Sequence, residues 1–396
     1  MICHDPPSAA LQSVLTVGEV LRNGLSAYGR AHRLPAHHWK ALNAMQVCRT
    51  PLLGGHQYEC AQCRRAHFAP HGCGNRHCPS CQGINSRHWL NAQARVLLPI
   101  TYFHEVFTLP HTFNPLIQQN QAVLYKLLFD TVAETLLSFG RNNLGAQLGL
   151  TAVLHTWGQT LTDHYHLHCI VSGGGPALDG RRWIRSRSDY LFPVRALSKV
   201  FRAKFCEGLQ GLYAAQRLQF HGQLRPLADN ANFQQLVREA TRKPWVVYSK
   251  RPFAGPQQVL AYLSRYTHRV GISNRRLRAL DRPAGTVTFD YKDYANGARH
   301  KSMILQIGEF IRRLRLHLLP PRFVKIRHYG LLANRGRQER LGRARALLGV
   351  TEMPAPIAAA PRSLPKCPHC GWAALFLVCV VPPLRRQPVP AVIDTS

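Results

Sequence analysis

The sequence predicts an α+β protein: a small cysteine-rich N-terminal domain, then a larger domain on an antiparallel sheet with flanking helices. Three observations predict it. Six of the twelve cysteines fall between Cys48 and Cys81, in a stretch with too little apolar periodicity to bury a core of its own. From about Ile100 onward, strand-like runs are mixed with helical ones. Two of the strand-like runs, Leu150 to Trp157 and His166 to Ser172, flank the short polar link Gly158 to Asp163 and read as a hairpin. The expected domains are 11–98, 99–335 and a C-terminal tail, 336–396.

In chain order, residues 11–47 read as helical. Leu11, Val14, Leu15, Val20, Leu21 and Leu25 recur at helical spacing, and a second short helix runs around Trp39 to Val47. Tyr102 to Leu109 (YFHEVFTL) is β-prone. Asn120 to Ser138 is an amphipathic helix, with Val123, Leu127, Leu128, Val132 and Leu136 on one face. Val194 to Tyr213 and Pro256 to Tyr266 read as helices, and Trp245 to Ser249 as a strand. Thr286 to Tyr291 and Lys301 to Gln306 read as two more strands, and Phe310 to Leu319 as a basic helix. From about Met353 the chain is Pro- and Ala-rich and reads as loose.

Charge narrows the function classes. Lys and Arg number 51 against 19 Asp and Glu, a formal net charge of +32 over 396 residues. Such a surface repels itself unless a polyanion is the partner, and nucleic acid is the first candidate. No apolar run reaches the length of a bilayer span, and Met1 to Pro7 lacks the apolar core of a signal peptide. A cytoplasmic protein is expected. There the clustered cysteines read as metal ligands rather than disulfides.

Cys60-x-x-Cys63 and Cys78-x-x-Cys81 stand fourteen residues apart. Each pair can bite one metal through a tight turn, and the two together predict one structural zinc site. Cys48, Cys73, His56 and His77 share the segment, where they would serve a second zinc, substitute for one of the four, or pack, so one zinc and two are both open. Closed four-ligand sites serve folding, so this one is assigned to structure and DNA contact. Arg49, Arg64, Arg65, Arg76 and Arg87 nearby suit phosphate. Cys367-x-x-Cys370 is a further half-knuckle, with only His369 and Cys379 near it in sequence.

His164, His166 and His168 alternate along one strand and share a face. If the two runs of the hairpin set His155 opposite His166 or His168, it joins them in a metal site. Imidazoles alone suit zinc, copper or iron as well as manganese. An exposed polar sheet face is the plainer alternative. Tyr262 and Tyr266, four apart, share one helix face, flanked by Arg265, His268 and Arg269. A tyrosine among cations beside a metal-bound phosphate is a competent nucleophile, although such pairs more often serve packing.

Together these motifs resemble the two-tyrosine HUH transposases of the insertion sequence ninety-one type, which are related more distantly to rolling-circle initiators and relaxases. The matching strings include CRTPLLGGH from Cys48, NRHCPSCQG from Asn75, YFHEVFTLPH from Tyr102, HYHLHCIVSGGG from His164 and YLSRYTHRVGISNRRL from Tyr262. They run in the family's order over roughly residues 15–350. The resemblance implies an N-terminal zinc-binding domain and an HUH nuclease domain. It implies that His166 and His168 are the two histidines of the HUH motif and ligate Mg or Mn, with His155 first choice as third ligand and His164 or His104 as rivals. It implies that Tyr262 and Tyr266 nick and rejoin single-stranded DNA at element ends through 5′-phosphotyrosines, in a rolling-circle-like transposition. Arg76, Arg265, Arg269, Arg275 and Arg276 are the cations expected on DNA. The family usually has Pro where this chain has Tyr165, which leaves both histidines intact.

Two other readings compete. A non-catalytic zinc-finger DNA-binding protein would explain charge and cysteines but not the histidines and tyrosines. A metal-dependent hydrolase using activated water would need no tyrosine and form no covalent adduct. Carboxylates are too sparse for an acidic transposase triad, and no Walker A loop appears, so any helicase would come from the host.

Overall fold

The computed structural model describes residues 14–187, 190–253, 258–259, 262, 269–350 and 366–384. The chain opens with helices α1 (Val17–Ala31) and α2 (Ala36–Gln46), then the strands β1 (Gly55–Cys60) and β2 (Ala66–Pro70) and helix α3 (Gln82–Ala94). Next come β3 (Tyr102–Thr108), α4 (Asn114–Gln119), α5 (Gln121–Phe139), β4 (Gly149–Trp157) and β5 (Asp163–Ser172). Short strands β6 (Gly174–Pro176) and β7 (Trp183–Arg185) precede α6 (Val194–Ala214), α7 (Asn230–Thr241) and β8 (Val247–Phe253). The remainder is β9 (Leu277–Asp281), β10 (Thr286–Asp293), β11 (Arg299–Gln306), α8 (Ile307–Leu316), β12 (Ile326–Gly330), α9 (Arg337–Leu348) and β13 (Leu375–Val381). All strand pairs are antiparallel, which makes this a mixed helix and antiparallel-sheet fold. Among the described residues no helix is long and apolar enough to cross a membrane.

Two compact units emerge: 1–83 with 272–315 and 358–396, and 84–271 with 316–357. These units cut across the expected boundaries 11–98, 99–335 and 336–396. The segment 272–315 clusters with the first unit, because its Asn274 and Arg282 bind α1. Asn274 Oδ1 accepts from the Val17 N–H at 3.1 Å, and Arg282 pairs with Glu19 at 3.1 Å. The C-terminal segment is not wholly a loose tail either. Its apolar run Leu375–Val381 adds β13 to β1, covering an edge that would otherwise be unpaired.

In the first unit, α1 starts where Thr16 Oγ1 accepts the Glu19 N–H at 3.1 Å, an N-cap that satisfies one of the free N–H groups of the first turn. Val17, Val20, Leu21 and Leu25 form its buried stripe. A Cβ on Gly24 would lie 2.2 Å from Ile307 Cγ2, so glycine is what lets α1 close onto α8. Two three-stranded sheets, β13-β1-β2 and β11-β10-β9, complete this unit.

The second unit is organised by a five-stranded sheet of order β12-β4-β5-β3-β8. Alternation divides its side chains. Phe103 and Phe107 of β3, Leu150, Ala152 and Leu154 of β4, and Tyr165, Leu167, Cys169 and Val171 of β5 enter one large core. Leu124, Leu128, Val132 and Leu136 of α5 and Leu197, Phe201 and Phe205 of α6 cover that face. The residues between them, including the histidines, go to the other face.

One polar residue breaks the pattern of the core face. Glu105 sits between Phe103 and Phe107 and is fully buried. Ser249 Oγ donates to its Oε1 at 2.8 Å, while Oε2 has no partner among the described residues. Burial pushes this carboxyl up from 4.5 to about 7. Between those values the folded chain keeps a proton that the unfolded chain has lost, so stability falls as pH rises through that window. The full shift corresponds to about 3 kcal/mol, lost by pH 8. Glu105→Gln should remove this slope. Urea midpoints at pH 5 and pH 8 check it; equal pH dependence in both proteins would count against the assignment.

Candidate active site and cysteine clusters

The histidine face is set by the register of the central hairpin. β4 and β5 pair so that His155 stands directly opposite His166 and Val153 opposite His168. The candidate ligand nitrogens of His155, His166 and His168 all lie within 4.8 Å of one another. His166 Nδ1 bonds the His164 backbone oxygen at 2.8 Å, which orients the ring and leaves Nε2 for another partner. Burial first, then the neighbouring imidazoles, and at His168 also Lys250, Arg269 and Lys325, hold His166 and His168 well below the ordinary histidine range, which favours neutral rings. Neutral, buried and convergent imidazoles are a donor set fit for a divalent metal.

Of the two rival ligands, His164 turns away from the triad and His104 stays beside it. His164 faces His111, with Nδ1 and Nε2 3.1 Å apart. His104, one strand over on β3, lies with Nε2 2.9 Å from His168 Nδ1. Its pKa is pushed down to about 3, by burial first and then by Lys250.

Tyr262 completes the group. Its ring is 8% exposed, packed in a small cluster with Ala94, Leu97, Tyr102, Ile170 and Val259. Its hydroxyl lies 2.6 Å from His104 Nε2 and 3.2 Å from His168 Nδ1. A nucleophilic oxygen within hydrogen-bond reach of a neutral imidazole, beside a metal-competent triad, has the parts needed for attack on a phosphodiester. Tyr266 and Arg265 lie outside the described residues.

Cations surround this face. Lys250, Arg269 and Lys325 all bear electrostatically on His168. Lys325 Nζ donates to the Arg269 backbone oxygen at 2.6 Å and stands 5.0 Å above the Trp157 ring, which stacks on His155. Lys250, Lys325 and His111 were not singled out from sequence. Lys250 is on β8, Lys325 just before β12 and His111 a few residues before α4, segments far apart in sequence that only folding brings around the histidine strands. Of the other expected DNA contacts, Arg76 and Arg275 are exposed, and Arg276 lies over the Phe289 ring at 5.5 Å with its Nε on the Asp290 oxygen.

The cysteines regroup. The expected set Cys60, Cys63, Cys78 and Cys81 does not come together. Cys48, Cys73, Cys78 and Cys81 form one cluster, and Cys60, Cys63, Cys367 and Cys370 another. The cause is the β1–β2 hairpin. Cys60 and Cys63 sit at its tip, whereas the chain returns along β2 to bring Cys73, Cys78 and Cys81 to Cys48 at its base. A strand of five or six residues separates tip from base by about 17 Å, too far to share an ion. In the first cluster Cys48 Sγ lies 3.4 Å from Cys78 Sγ and 3.5 Å from Cys81 Sγ, and Cys73 Sγ lies 3.8 Å from Cys81 Sγ. Four thiolates on a tetrahedral zinc stand about 3.8 Å apart, so the set fits that ion. His77 is not among these ligands; its N–H donates to Asn75 Oδ1 at 2.9 Å.

Residues 149–340 match a family model described as a putative transposase, and residues 20–109 match a transposase zinc-binding domain. A putative transposase, y4qJ, of Sinorhizobium fredii is 43% identical over 91% of this chain and 94% of its own length. The transposase for insertion sequence element IS801 of Pseudomonas savastanoi pv. phaseolicola is 28% identical over 75% of this chain and 70% of its own. Among solved structures, the conjugative relaxase TrwC in complex with oriT DNA, metal-bound, aligns at 16% identity. That alignment covers 41% of this chain and 70% of the relaxase with a TM-score of 0.23, too low to carry an argument. On the near full-length relative, the chain belongs to the two-tyrosine transposases of the insertion sequence ninety-one family, with the zinc-binding domain of that family at its N-terminal end.

Proposed function

We propose that this transposase nicks and rejoins single-stranded DNA at the ends of its element, with Tyr262 as a nucleophile. The observation that carries the reading is the Tyr262 hydroxyl at 2.6 Å from His104 Nε2, beside the histidine triad. His155, His166 and His168 would hold Mg or Mn, which when bound polarises a phosphoryl oxygen and orients the scissile bond. Lys250, Arg269 and Lys325 offset the charge of the strand and hold its backbone.

In the reaction Tyr262 Oη forms a bond to phosphorus and the bond from phosphorus to the 3′-oxygen breaks. The phenol proton passes to His104, and the leaving oxygen takes up a proton, giving a 5′-phosphotyrosine and a free 3′-hydroxyl. Burial keeps His104 uncharged in the free protein, and the negative charge of a phosphodiester bound beside it favours the protonated ring, which lets His104 accept. Tyr266, four residues on, is assigned as the second nucleophile by the family pattern and by helical spacing. Rejoining is the same step reversed, with a 3′-hydroxyl attacking the phosphotyrosine. Cys48, Cys73, Cys78 and Cys81 are assigned to a structural zinc. Partners are single-stranded and element-end DNA, with any helicase supplied by the host, and the site of action is the cytoplasm.

The same packing around Tyr262 would serve a purely structural tyrosine, so the deciding test is covalent. End-labelled single-stranded DNA carrying the element terminus, incubated with Mn, should transfer label to the protein on a denaturing gel. Transfer should vanish in the Tyr262→Phe, Tyr266→Phe double variant while DNA binding persists. Cleavage without an adduct would instead support activated water, and binding without cleavage a non-catalytic protein.

Metal binding is checked separately. His166→Ala should weaken Mn affinity at least ~10-fold, as followed by the electron-paramagnetic signal of free Mn. Unchanged affinity would remove His166 from the ligand set. Lys250→Ala should leave Mn binding intact and lower the salt slope of single-strand binding by about 0.7. An unchanged slope would place Lys250 off the DNA path.

A further inference from the structure

The matched zinc-binding domain ends at residue 109, yet a second four-cysteine cluster draws half its members from far beyond it. Cys60 Sγ lies 3.6 Å from Cys370 Sγ, and Cys63 Sγ 3.7 Å from Cys367 Sγ. A disulfide would need about 2.05 Å, whereas thiolates sharing a tetrahedral zinc stand about 3.8 Å apart.

The two halves are built alike, although 304 residues separate Cys63 from Cys367. At the first, the Cys60 N–H donates to the Arg65 oxygen at 3.1 Å and the Arg64 N–H to the Cys60 oxygen at 2.8 Å. At the second, the Cys367 N–H donates to the Trp372 oxygen at 2.7 Å and the Gly371 N–H to the Cys367 oxygen at 2.8 Å. The same pair of bonds closes the same length of chain. The residue after each second cysteine takes the left-handed conformation, Arg64 at φ 54° and Gly371 at φ 77°. Arginine adopts that conformation rarely, so the first turn is held against its local preference. A matched pair of turns, each presenting two thiols to the other, is a receptor for one ion.

We propose that Cys60, Cys63, Cys367 and Cys370 bind a second structural zinc, split across the two ends of the chain. All four donors are thiolates and the shell is closed, which favours zinc and excludes a catalytic role. The ion fastens residues 366–384 onto the N-terminal hairpin. The Ala61 N–H donates to the Ala374 oxygen at 2.9 Å beside the knuckles, and Cys60 pairs with Leu375 where β13 joins β1. The C-terminal segment is thus a working part of the N-terminal unit, and that unit is not complete in residues 20–109.

The test counts metal in the full-length protein purified under reductant. Mass spectrometry of the metal should read two zinc ions per chain. Cys367→Ser with Cys370→Ser should read one, and a chain ending at residue 350 should also read one. A single zinc in the wild type, or two in the Cys367/Cys370 variant, overturns the proposal. A second readout needs no variant. Cys370 is solvent-exposed, so it should alkylate slowly until a chelator is added, and quickly afterwards. Equal rates with and without chelator overturn the proposal even if the variants fail to fold. The count is independent of the tyrosine chemistry: Tyr262→Phe should hold the same two zinc ions.

Discussion

Side chains on a strand alternate between faces, and in β4 and β5 that alternation keeps two incompatible chemistries apart. Leu150, Ala152, Leu154, Tyr165, Leu167 and Cys169 enter the core, while His155, His166 and His168 face the other way. Each large apolar side chain so buried stabilises the fold by about 1.5–3 kcal/mol. A one-residue slip of β5 would send His166 and His168 into the core and Tyr165, Leu167 and Cys169 out of it. The register is therefore set by packing on the apolar face, and the histidines inherit their spacing from it. The triad is held by a rigid sheet rather than by a loop, which is what a ligand set needs.

Burial and charge then act in the same direction on the rings. Desolvation disfavours imidazolium, and Lys250, Arg269 and Lys325 disfavour it further at His168. An anion has the opposite effect: a phosphodiester brought to this face would be attracted by the same cations. The site is thus arranged to keep its histidines neutral and its surroundings positive at once. The net charge of +32 extends that field over the chain, raising the encounter rate with a polyanion. Glu105 shows the cost of the alternative. It is the acidic residue of β3 and is placed on the core face, where burial favours its protonated form rather than a charge beside the triad.

Local periodicity made much of this readable in advance. The hairpin from Leu150 to Ser172, the helix from Asn120 and the strand YFHEVFTL each carry a period of 2 or 3.6 that survives folding. Even the opposition of His155 and His166 follows from a short link between two strands. What periodicity does not carry is sheet order. β3 lies beside β5 and β8 beside β3, but helices separate all three in sequence, so periodicity alone does not bring Lys250 to His168. The run LFLVCVV, within the stretch that reads as loose, is hidden for the same reason. Its partner, β1, lies more than 300 residues upstream, and its Pro- and Ala-rich approach hides a strand that forms only against that partner.

The cysteines show where spacing rules stop. A C-x-x-C pair is a local object: its turn closes within six residues, and its two thiols converge whatever the rest of the chain does. Which pairs share an ion is a question of topology. The fourteen residues between Cys63 and Cys78 are a normal zinc-finger spacing, but here five of them are β2, which carries the chain away from the hairpin tip. The hairpin thereby converts one cysteine-rich run into two separate half-sites. The first is completed by Cys48 and Cys73, whose isolated positions gave no pairing signal. The second can be completed only by a knuckle of matching geometry, and Cys367 and Cys370 supply one from the far end of the chain. The strand β13 that follows them is apolar but short, with Phe376, Leu377, Val378 and Val380 still partly exposed. Burial alone holds such a strand weakly, so a metal shared with β1 is the stronger physical reason for the two ends of the chain to remain together.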